Sequence, residues 1–281
     1  MPAPAAPAPR PPDTEPPLTP ADFAEIRRAA AEAVGIQLRE GKEGLVRGRL
    51  ARRVRQLGHA SFREYLDHVR NDATRRELAH MLDLLTTNKT SFFREAAHFD
   101  LLRDRVAPAF GGAPGGLRVW SAGCSTGEEP YTMAMVLRDA LPDAAFREAR
   151  VLATDLSARA LERARAGAYT DEQAADVPPE LLRRHFARQP GGWAAGPALR
   201  APVRFAPLNL LGPWPMRGAF HSIWCRNVMI YFDKPTQAAL VARFSALLAP
   251  GGYLCVGHSE SLSAVDHGLE YVQPATYRRA A

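Results

Sequence analysis

The sequence predicts an α/β fold in which a mostly parallel sheet carries helices on both faces and a small all-α domain precedes it. From residue 117 onward, short apolar runs alternate with stretches of helical periodicity, which is the pattern of a parallel sheet with crossover helices. No strand-like run interrupts residues 20–85. A chain of 281 residues with 46% hydrophobic residues is long enough for one large α/β domain and one smaller unit.

Four helical patterns make up the predicted N-terminal domain, at about residues 20–34, 46–55, 61 onward and 73–85. Thr19 and Asp22 form a capping-box-like pair around Pro20, and Ser61 with Glu64 forms another. Residues 1–19 are rich in Pro and Ala and have few apolar side chains, so we expect this tail to be disordered.

Five apolar runs are the predicted strands of the sheet. They lie at residues 117–120, 150–154, 203–205, 222–225 and 253–256. Helical periodicity occupies much of the sequence between them, at about residues 131–140, 158–166 and 235–248. In sheets of this kind ligands bind at the carboxyl ends of the strands, so the loops that follow these runs are the candidate site.

Composition excludes several classes of protein. No apolar run of about 18 residues is present and the N-terminus lacks an apolar signal region, which predicts a cytoplasmic protein with no direct membrane insertion. Cys124, Cys225 and Cys255 stand in apolar contexts without metal-ligand spacing, so we expect buried free thiols and no metal site. The net charge of +6 suggests an acidic partner without choosing between nucleic acid, membrane and protein.

The loop after the first predicted strand is rich in small residues and leads into a helix. It contains Gly123 and Gly127 but lacks both a full G-x-G-x-x-G and the Lys of a phosphate-binding loop, which disfavours a pyrophosphate ligand. A ligand with a nucleoside end and an amino-acid end still fits. Asp155 ends the second strand, where a carboxylate can bind ribose hydroxyls; capping of the helix near Ser157 is the alternative.

Several motifs in one order carry a specific resemblance. Residues 85–95 read LTTNKTSFFRE, and the later segments are 120–131 (WSAGCSTGEEPY), 153–155 (ATD), 209–211 (NLL), 225–232 (CRNVMIYF) and 257–261 (GHSES). From residue 20 to 281, the chain resembles the CheR-type chemoreceptor glutamate methyltransferases. The resemblance implies a Rossmann-like methyltransferase domain that uses S-adenosylmethionine and releases S-adenosylhomocysteine.

The resemblance also implies the domain limits and the site. A helical receptor-contacting domain at 20–88 would precede a catalytic domain at 89–281, with a short strand insertion near 187–208. The residues implied to bind the cofactor are Asn88, Thr90, Arg94, Gly123, Glu128 or Glu129, Asp155, Asn209, Leu210, Arg226 and Asn227. Asp155 would hold the ribose, and either of the two adjacent glutamates could face the cofactor.

Methyl transfer to a carboxylate needs no general base, because a glutamate side chain is ionised at neutral pH. We expect Arg94 and Tyr231 to be the catalytic residues, acting as donors that position the acceptor. The run His258, Ser259 and Glu260 does not predict a hydrolase triad, because neighbouring side chains on a strand face opposite ways; we interpret it as loop structure near the site. Residues 227–232 lack the Asn-Pro-Pro-Tyr-like turn of enzymes that methylate base or amide nitrogens.

The second helix carries five arginines away from its apolar stripe, and no acidic residue lies three or four positions after any of them. They are Arg47, Arg49, Arg52, Arg53 and Arg55. The resemblance implies that they contact the acidic helical bundle of a receptor. Nucleic acid would also be attracted, but no aromatic side chains are interleaved on this helix for base stacking. The short Gly- and Pro-containing insertion suggests that no receptor tail peptide is bound, and a monomer is expected.

Three other hypotheses remain open on the sequence alone. The first is a methyltransferase of the same fold that acts on another acidic protein or a small carboxylate. The second is a cofactor-binding regulator without catalysis, although Arg94 and Tyr231 speak against it. The third is a basic nucleic-acid-binding module, which would bind strongly at low salt and transfer no methyl group.

Overall fold

The computed structural model describes residues 16–86, 88–263 and 265–281, which fall into two compact units. The smaller unit ends at Thr86 and the larger one comprises Thr87–Ala281 together with the short segment Val34–Gln37. The sequence did not predict that this segment belongs with the larger unit. Most of the predicted disordered tail, residues 1–15, lies outside the described residues.

The smaller unit consists of the four predicted helices. They are α1 (Pro20–Val34), α2 (Glu43–Gln56), α3 (Phe62–Asn71) and α4 (Arg76–Leu85). Helix α4 begins at residue 76 rather than about 73, because the Asp72 carboxylate accepts hydrogen bonds from the Thr74 and Glu77 amides. Arg75 adopts a left-handed conformation just before the helix. These contacts hold residues 72–75 in a turn.

The two predicted capping boxes differ in the structure. The Thr19 hydroxyl accepts from the Asp22 amide while the Asp22 carboxylate accepts from the Thr19 amide, so the first prediction is confirmed. The Ser61 hydroxyl accepts from the Glu64 amide, but the Glu64 carboxylate accepts from the Ala60 amide, at 2.7 Å. In the second capping box, the Glu64 carboxylate therefore binds the amide of Ala60, one residue before the Ser61 amide that a capping box would use.

The arginines of α2 do not form one unpaired face, which corrects the sequence-based view. Arg53 donates two hydrogen bonds to the carboxylate of Glu77, which is buried and also accepts from the Tyr65 hydroxyl. Arg49 donates to the Leu85 carbonyl. The remaining three arginines of the set, Arg47, Arg52 and Arg55, are exposed. The sequence missed these partners because both lie on α4, far from α2 along the chain.

The larger unit is built on a seven-stranded sheet with the strand order β6-β2-β1-β7-β8-β10-β9. Its strands are β1 (Arg118–Ala122), β2 (Arg150–Asp155), β6 (Val203–Pro207), β7 (Phe220–Cys225), β8 (Leu248–Val256), β9 (Glu270–Gln273) and β10 (Thr276–Arg278). The five predicted strands are parallel to one another, and the hairpin β9–β10 adds an antiparallel edge beside β8 that the sequence did not predict.

Helices cover both faces of this sheet. They are α5 (Ala97–Leu101), which continues as a π-helical turn (Leu102–Val106) into α6 (Ala107–Phe110), then α7 (Glu128–Ala140), α8 (Asp143–Glu148), α9 (Ala158–Ala166), α10 (Asp171–Ala174), α11 (Pro179–His185), α12 (Pro197–Arg200) and α13 (Lys234–Leu247). Neighbouring strand residues enter different apolar clusters: Val119 and Trp224 pack in one, Trp120 and Ile223 in the other. This alternation buries both faces, as the sequence predicted.

The predicted buried thiols are confirmed, since Cys124, Cys225 and Cys255 are free and buried. Burial raises the pKa of Cys255 to about 12, so this thiol carries no charge at neutral pH. No helix among the described residues is long and apolar enough to cross a membrane.

A second, three-stranded antiparallel sheet has the order β3-β5-β4, from strands β3 (Ala168–Tyr169), β4 (Phe186–Gln189) and β5 (Gly192–Ala195). The strand insertion expected near 187–208 therefore begins earlier and ends at residue 195. Residues 203–207 belong instead to the main sheet, as its edge strand β6.

We predict that Glu77→Gln lowers the free energy of unfolding of the helical unit by roughly 1–3 kcal/mol at pH 7, since it weakens the contacts of Arg53 and Tyr65 with a buried carboxylate. Burial raises the pKa of Glu77, but the hydrogen bonds from Arg53 and Tyr65 outweigh it and leave the pKa below its ordinary value. A lowered pKa means that this stability is present above the unfolded-state pKa, about 4.3, and is lost as the pH falls through the folded-state value.

Urea unfolding followed by circular dichroism at pH 7 and at pH 4 tests this prediction. The difference between wild type and Glu77→Gln should shrink at the lower pH. The control Glu32→Gln, at an exposed position of α1, should change stability by less than about 0.5 kcal/mol. A Glu77→Gln effect equal to that of the control at pH 7 would contradict the role of the pair.

Candidate active site

The strand order places a topological switch point between β1 and β7. The chain runs from β1 to β2 and β6 on one side of the sheet, and then to β7 and β8 on the other. Loops that leave the carboxyl ends of β1 and β7 therefore diverge and open a crevice, which is where ligands of such sheets bind. The predicted residues Gly123, Asp155, Asn209 and Arg226 follow or end β1, β2, β6 and β7 respectively.

The loop after β1 is a tight turn that only glycine fits at its start. Gly123 has φ 98°, and a Cβ there would lie 2.4 Å from Cγ2 of Val228. Gly127 has φ 97° and begins α7, and its Cβ would lie 2.9 Å from the Tyr169 hydroxyl. Lack of a side chain at Gly123 leaves room for the Val228 side chain to pack against the loop.

Asp155 fixes this loop against the end of β2. Its carboxylate accepts hydrogen bonds from the Ser125 amide at 2.7 Å and from the Ser157 amide at 2.9 Å. Ser157 in turn caps α9. Asp155 therefore does not cap α9 itself, which was the alternative that the sequence left open, but holds the amide of the residue that does. Ribose binding by Asp155 stays a prediction, and a carboxylate has enough lone pairs for both roles.

The linker residues predicted to bind the cofactor lie beside the same loop. The Asn88 carbonyl accepts from the Ser125 hydroxyl. A pocket of about 170 Å³ opens there. Its lining is polar and consists of Asn88, Lys89, Thr90, Thr126, Glu128, Arg159, Ala160, Arg163 and Gln173. Glycine loop, linker and the start of α7 are therefore brought together as the sequence predicted.

The two adjacent glutamates of α7 have different surroundings. Glu128 lines the pocket and accepts a hydrogen bond from the Thr126 hydroxyl. Glu129 accepts from the Ser121 hydroxyl at 2.7 Å and from the Arg226 guanidinium at 3.0 Å. Burial raises the pKa of both carboxyls, and Arg226 opposes the shift at Glu129. The geometry favours Glu128 as the residue that faces a ligand.

Asn209 and Leu210 follow β6 in a turn. The Asn209 side chain accepts from the Leu211 amide, and the Leu210 carbonyl accepts from the Trp214 indole. Leu210 is buried in the cluster that also contains Trp120. These contacts place the turn at the ligand-binding edge of the sheet, and its contact with a cofactor stays a prediction.

Arg226 is the most highly coordinated cation of the site. Its guanidinium donates to Glu95 and Glu129, and Nη2 also donates to the Arg94 carbonyl. Only 2% of its side chain is exposed. These partners occupy the guanidinium, and contact of Arg226 with the adenosine side of a cofactor stays a prediction.

The segment that carries Arg94 is held in an uncommon conformation. Phe93 and Glu95 both have positive φ, 54° and 56°, on either side of Arg94. Non-glycine residues adopt this conformation only when their surroundings enforce it, and such residues cluster at functional sites. The Arg94 side chain itself donates to the Lys89 carbonyl at 3.0 Å.

The turn with Asn227 and Tyr231 is fixed by Glu260. The buried Glu260 carboxylate accepts from the amides of Asn227 at 2.7 Å, Ile230 at 3.1 Å and Gly257 at 2.6 Å. Asn227 itself has φ 60°. The Tyr231 carbonyl accepts from the Gln37 amide. Glu260 thus acts as loop structure, as predicted, and it holds the turn on which Tyr231 stands.

Glu95, His98 and His258 are the one metal-like cluster among the described residues, with ligand atoms within 4.8 Å of one another. Burial, followed by the charge of Arg226, lowers the pKa of His98 to about 4, so the imidazole is neutral. Glu95 is already paired with Arg226, at 3.2 Å, and a divalent cation beside that guanidinium would be repelled. We therefore assign no metal to it.

Sequence reasoning missed Glu95 and Glu260 as organising residues. Glu95 stands within the same motif as Arg94, and Glu260 within the GHSES motif, but nothing local to either position indicates its distant partner. The only available signal was that both acids lie in segments otherwise predicted to form the site.

Comparisons with known proteins agree with this geometry. The family described as "CheR methyltransferase, SAM binding domain" matches residues 88–278, and "CheR methyltransferase, all-alpha domain" matches residues 21–86. The chemotaxis protein methyltransferase of Klebsiella aerogenes is 42% identical over 254 residues, which cover 89% of this chain and 86% of that protein.

Two further relatives extend the similarity. The chemotaxis protein methyltransferase of Escherichia coli is 42% identical over 89% of this chain and 87% of its own length. A probable chemotaxis protein methyltransferase of Rhizobium etli is 39% identical over 87% of this chain and 94% of its own length. The larger unit is therefore an S-adenosylmethionine-binding domain and the protein a methyltransferase, and the chain belongs to the CheR methyltransferase family.

Proposed function

We propose that this protein transfers the methyl group of S-adenosylmethionine to glutamate side-chain carboxylates of chemoreceptors, in the cytoplasm, and yields glutamyl methyl esters. The observation that carries the proposal is that the predicted cofactor and acceptor residues converge at the carboxyl ends of four parallel strands. Gly123, Asp155, Asn209 and Arg226 share this edge, and Arg226 binds the backbone of Arg94.

The residues present fit the cofactor. The tight loop after β1 lies at the strand ends where nucleosides bind in such sheets, and Asp155 ends β2, where its carboxylate can accept hydrogen bonds from ribose hydroxyls. The polar pocket beside the loop suits the amino-acid end, since Glu128 can receive an ammonium group while Lys89 and Arg163 can receive a carboxylate. The bound cofactor supplies an electrophilic sulfonium methyl group.

The chain's own residues then have to orient an acceptor that is already charged. A glutamate carboxylate is ionised at neutral pH, so no base has to remove a proton. Arg94 and Tyr231 would replace part of the water shell of the carboxylate with fixed donors and align one oxygen with the methyl carbon. Very tight binding of the free carboxylate would stabilise the ground state as much as the transition state and would not speed the chemical step. The contribution expected of Arg94 and Tyr231 is therefore orientation of the acceptor.

We propose a receptor-contacting surface on the helical unit that is smaller than the sequence suggested. Arg49 and Arg53 reach partners on α4. Arg47, Arg52 and Arg55 have exposed side chains. We propose that the exposed arginines attract the acidic helical bundle of the receptor. Absence of a bound receptor tail and a monomeric state also stay predictions.

The reaction class is tested with methyl-labelled S-adenosylmethionine and a receptor cytoplasmic fragment, followed by mild base and collection of volatile methanol. Carboxyl methyl esters hydrolyse in base, so base-labile label is expected from the wild type. Arg94→Ala should lower this label about a hundredfold through loss of orientation. The control Arg105→Ala, at an exposed position, should keep it. Base-stable label on the receptor would contradict carboxyl methylation.

The proposed receptor-contacting surface of α2 is tested by replacing both Arg52 and Arg55 with Glu. The change should slow receptor methylation about tenfold at low ionic strength, and less at high salt, because it removes attraction to an acidic surface. The matched control replaces the exposed Arg147 and Arg183 with Glu. Both double variants change the net charge of +6 by −4, to +2.

Initial rates against receptor concentration provide the measurement, with cofactor affinity as the internal check. Cofactor affinity should stay the same in both double variants. Equal slowing in the two variants would mean that total charge rather than this surface attracts the receptor, and would contradict the assignment.

A further inference from the structure

Three separate segments of the larger unit meet at one buried guanidinium. Arg226 follows β7, Glu129 lies in the first turn of α7, and Arg94 with Glu95 belongs to the segment before α5. Contacts from the single Arg226 side chain reach all of them: the Glu129 carboxylate at 3.0 Å, the Glu95 carboxylate at 3.2 Å and the Arg94 carbonyl.

The planar guanidinium of Arg226 also lies close to two aromatic rings. The guanidinium carbon lies 5.6 Å from the ring centre of Phe99 and 5.3 Å from that of Trp224. A guanidinium presents five donors in a fixed plane and stacks on aromatic faces, whereas the ammonium of Lys is a compact charge with three donors. Lysine at this position therefore keeps the charge and loses the bridging geometry.

The backbone around Arg94 is restrained by contacts from outside its own segment. Left-handed residues on both sides, Phe93 and Glu95, define a sharp change of direction that needs enforcing from outside the segment. Arg226 supplies this restraint through two contacts, one with the Arg94 carbonyl and one with the Glu95 carboxylate. The Glu95 carboxylate is fixed further by the His258 amide, at 3.2 Å.

We infer that Arg226 is a positioning residue for methyl transfer: it sets the direction of the Arg94 side chain by holding the Arg94 carbonyl and the Glu95 carboxylate against Glu129. The inference rests on the proposed function, because it assigns Arg226 an effect that acts through Arg94 on the acceptor. Arg226 touches neither reacting atom in this account.

A purely structural role predicts a different pattern of rates. If Arg226 only stabilised the fold, its replacement would lower the folded fraction by the same factor in any background. If it acts through Arg94, its replacement costs rate only while the Arg94 guanidinium is present. A double-mutant cycle separates the two possibilities, since it measures the coupling between the two positions.

The experiment measures kcat, KM for the receptor fragment and affinity for S-adenosylhomocysteine in four proteins: wild type, Arg226→Lys, Arg94→Ala and the double variant. In the wild-type background, Arg226→Lys should lower kcat by about tenfold to a hundredfold, because a small displacement of an orienting group has that effect. In the Arg94→Ala background the same change should lower kcat by less than about threefold.

Two further variants serve as a control and as a substitute. Arg279→Lys is the matched control, since Arg279 is a partly buried arginine that donates to the Ser245 and Leu248 carbonyls, and it should leave all constants near wild type. Glu95→Gln weakens the contact between Arg226 and Glu95 by changing Glu95 instead. If Arg226→Lys does not fold, the double-mutant cycle is repeated with Glu95→Gln in its place.

Equal losses of kcat in the two backgrounds would overturn the inference, as would a loss of cofactor affinity that accounts for the whole change in rate. A wild-type protein that binds the cofactor and leaves the receptor unmethylated would instead overturn the proposed function. The two failures are thus distinguishable.

Discussion

A buried positive charge needs several fixed partners, and Arg226 obtains them from segments that are distant along the chain. Transfer of an unpaired guanidinium from water into this apolar surrounding would cost several kcal/mol. The contacts with Glu95, Glu129 and the Arg94 carbonyl offset that cost only if all three segments are in place. Formation of the site and burial of this charge are therefore linked.

The parallel sheet decides where this linkage acts. Because β1 and β7 are neighbours while their following loops diverge, the glycine loop and the Arg226 segment flank one crevice. Asp155 ties the loop after β1 to the end of β2, and Glu260 ties the turn after β7 to the loop after β8. Each connection is a carboxylate that accepts hydrogen bonds from backbone amides, which fixes the main chain of the loops that it joins.

Local patterns were enough to predict the four N-terminal helices, the five parallel strands and the edge at which the site lies. These patterns could not predict which residues distant along the chain would contact one another. The partners of Arg53 and Arg49 lie on or at the end of α4, so α2 alone suggested five unpaired arginines. The hairpin β9–β10 and the early start of the small sheet were missed because their strands are only two to four residues long. The choice between Glu128 and Glu129 needed the position of Arg226, which no spacing in the sequence reveals.

The most direct test of the account is a crystal structure of the protein with S-adenosylhomocysteine. We predict that the ligand lies at the carboxyl ends of β1, β2, β6 and β7, with its ribose on Asp155 and its amino group near Glu128. Arg226 should keep Glu95, Glu129 and the Arg94 carbonyl as partners. A ligand bound elsewhere, or an Arg226 guanidinium turned away from Glu95 and Glu129 onto the ligand, would contradict the account.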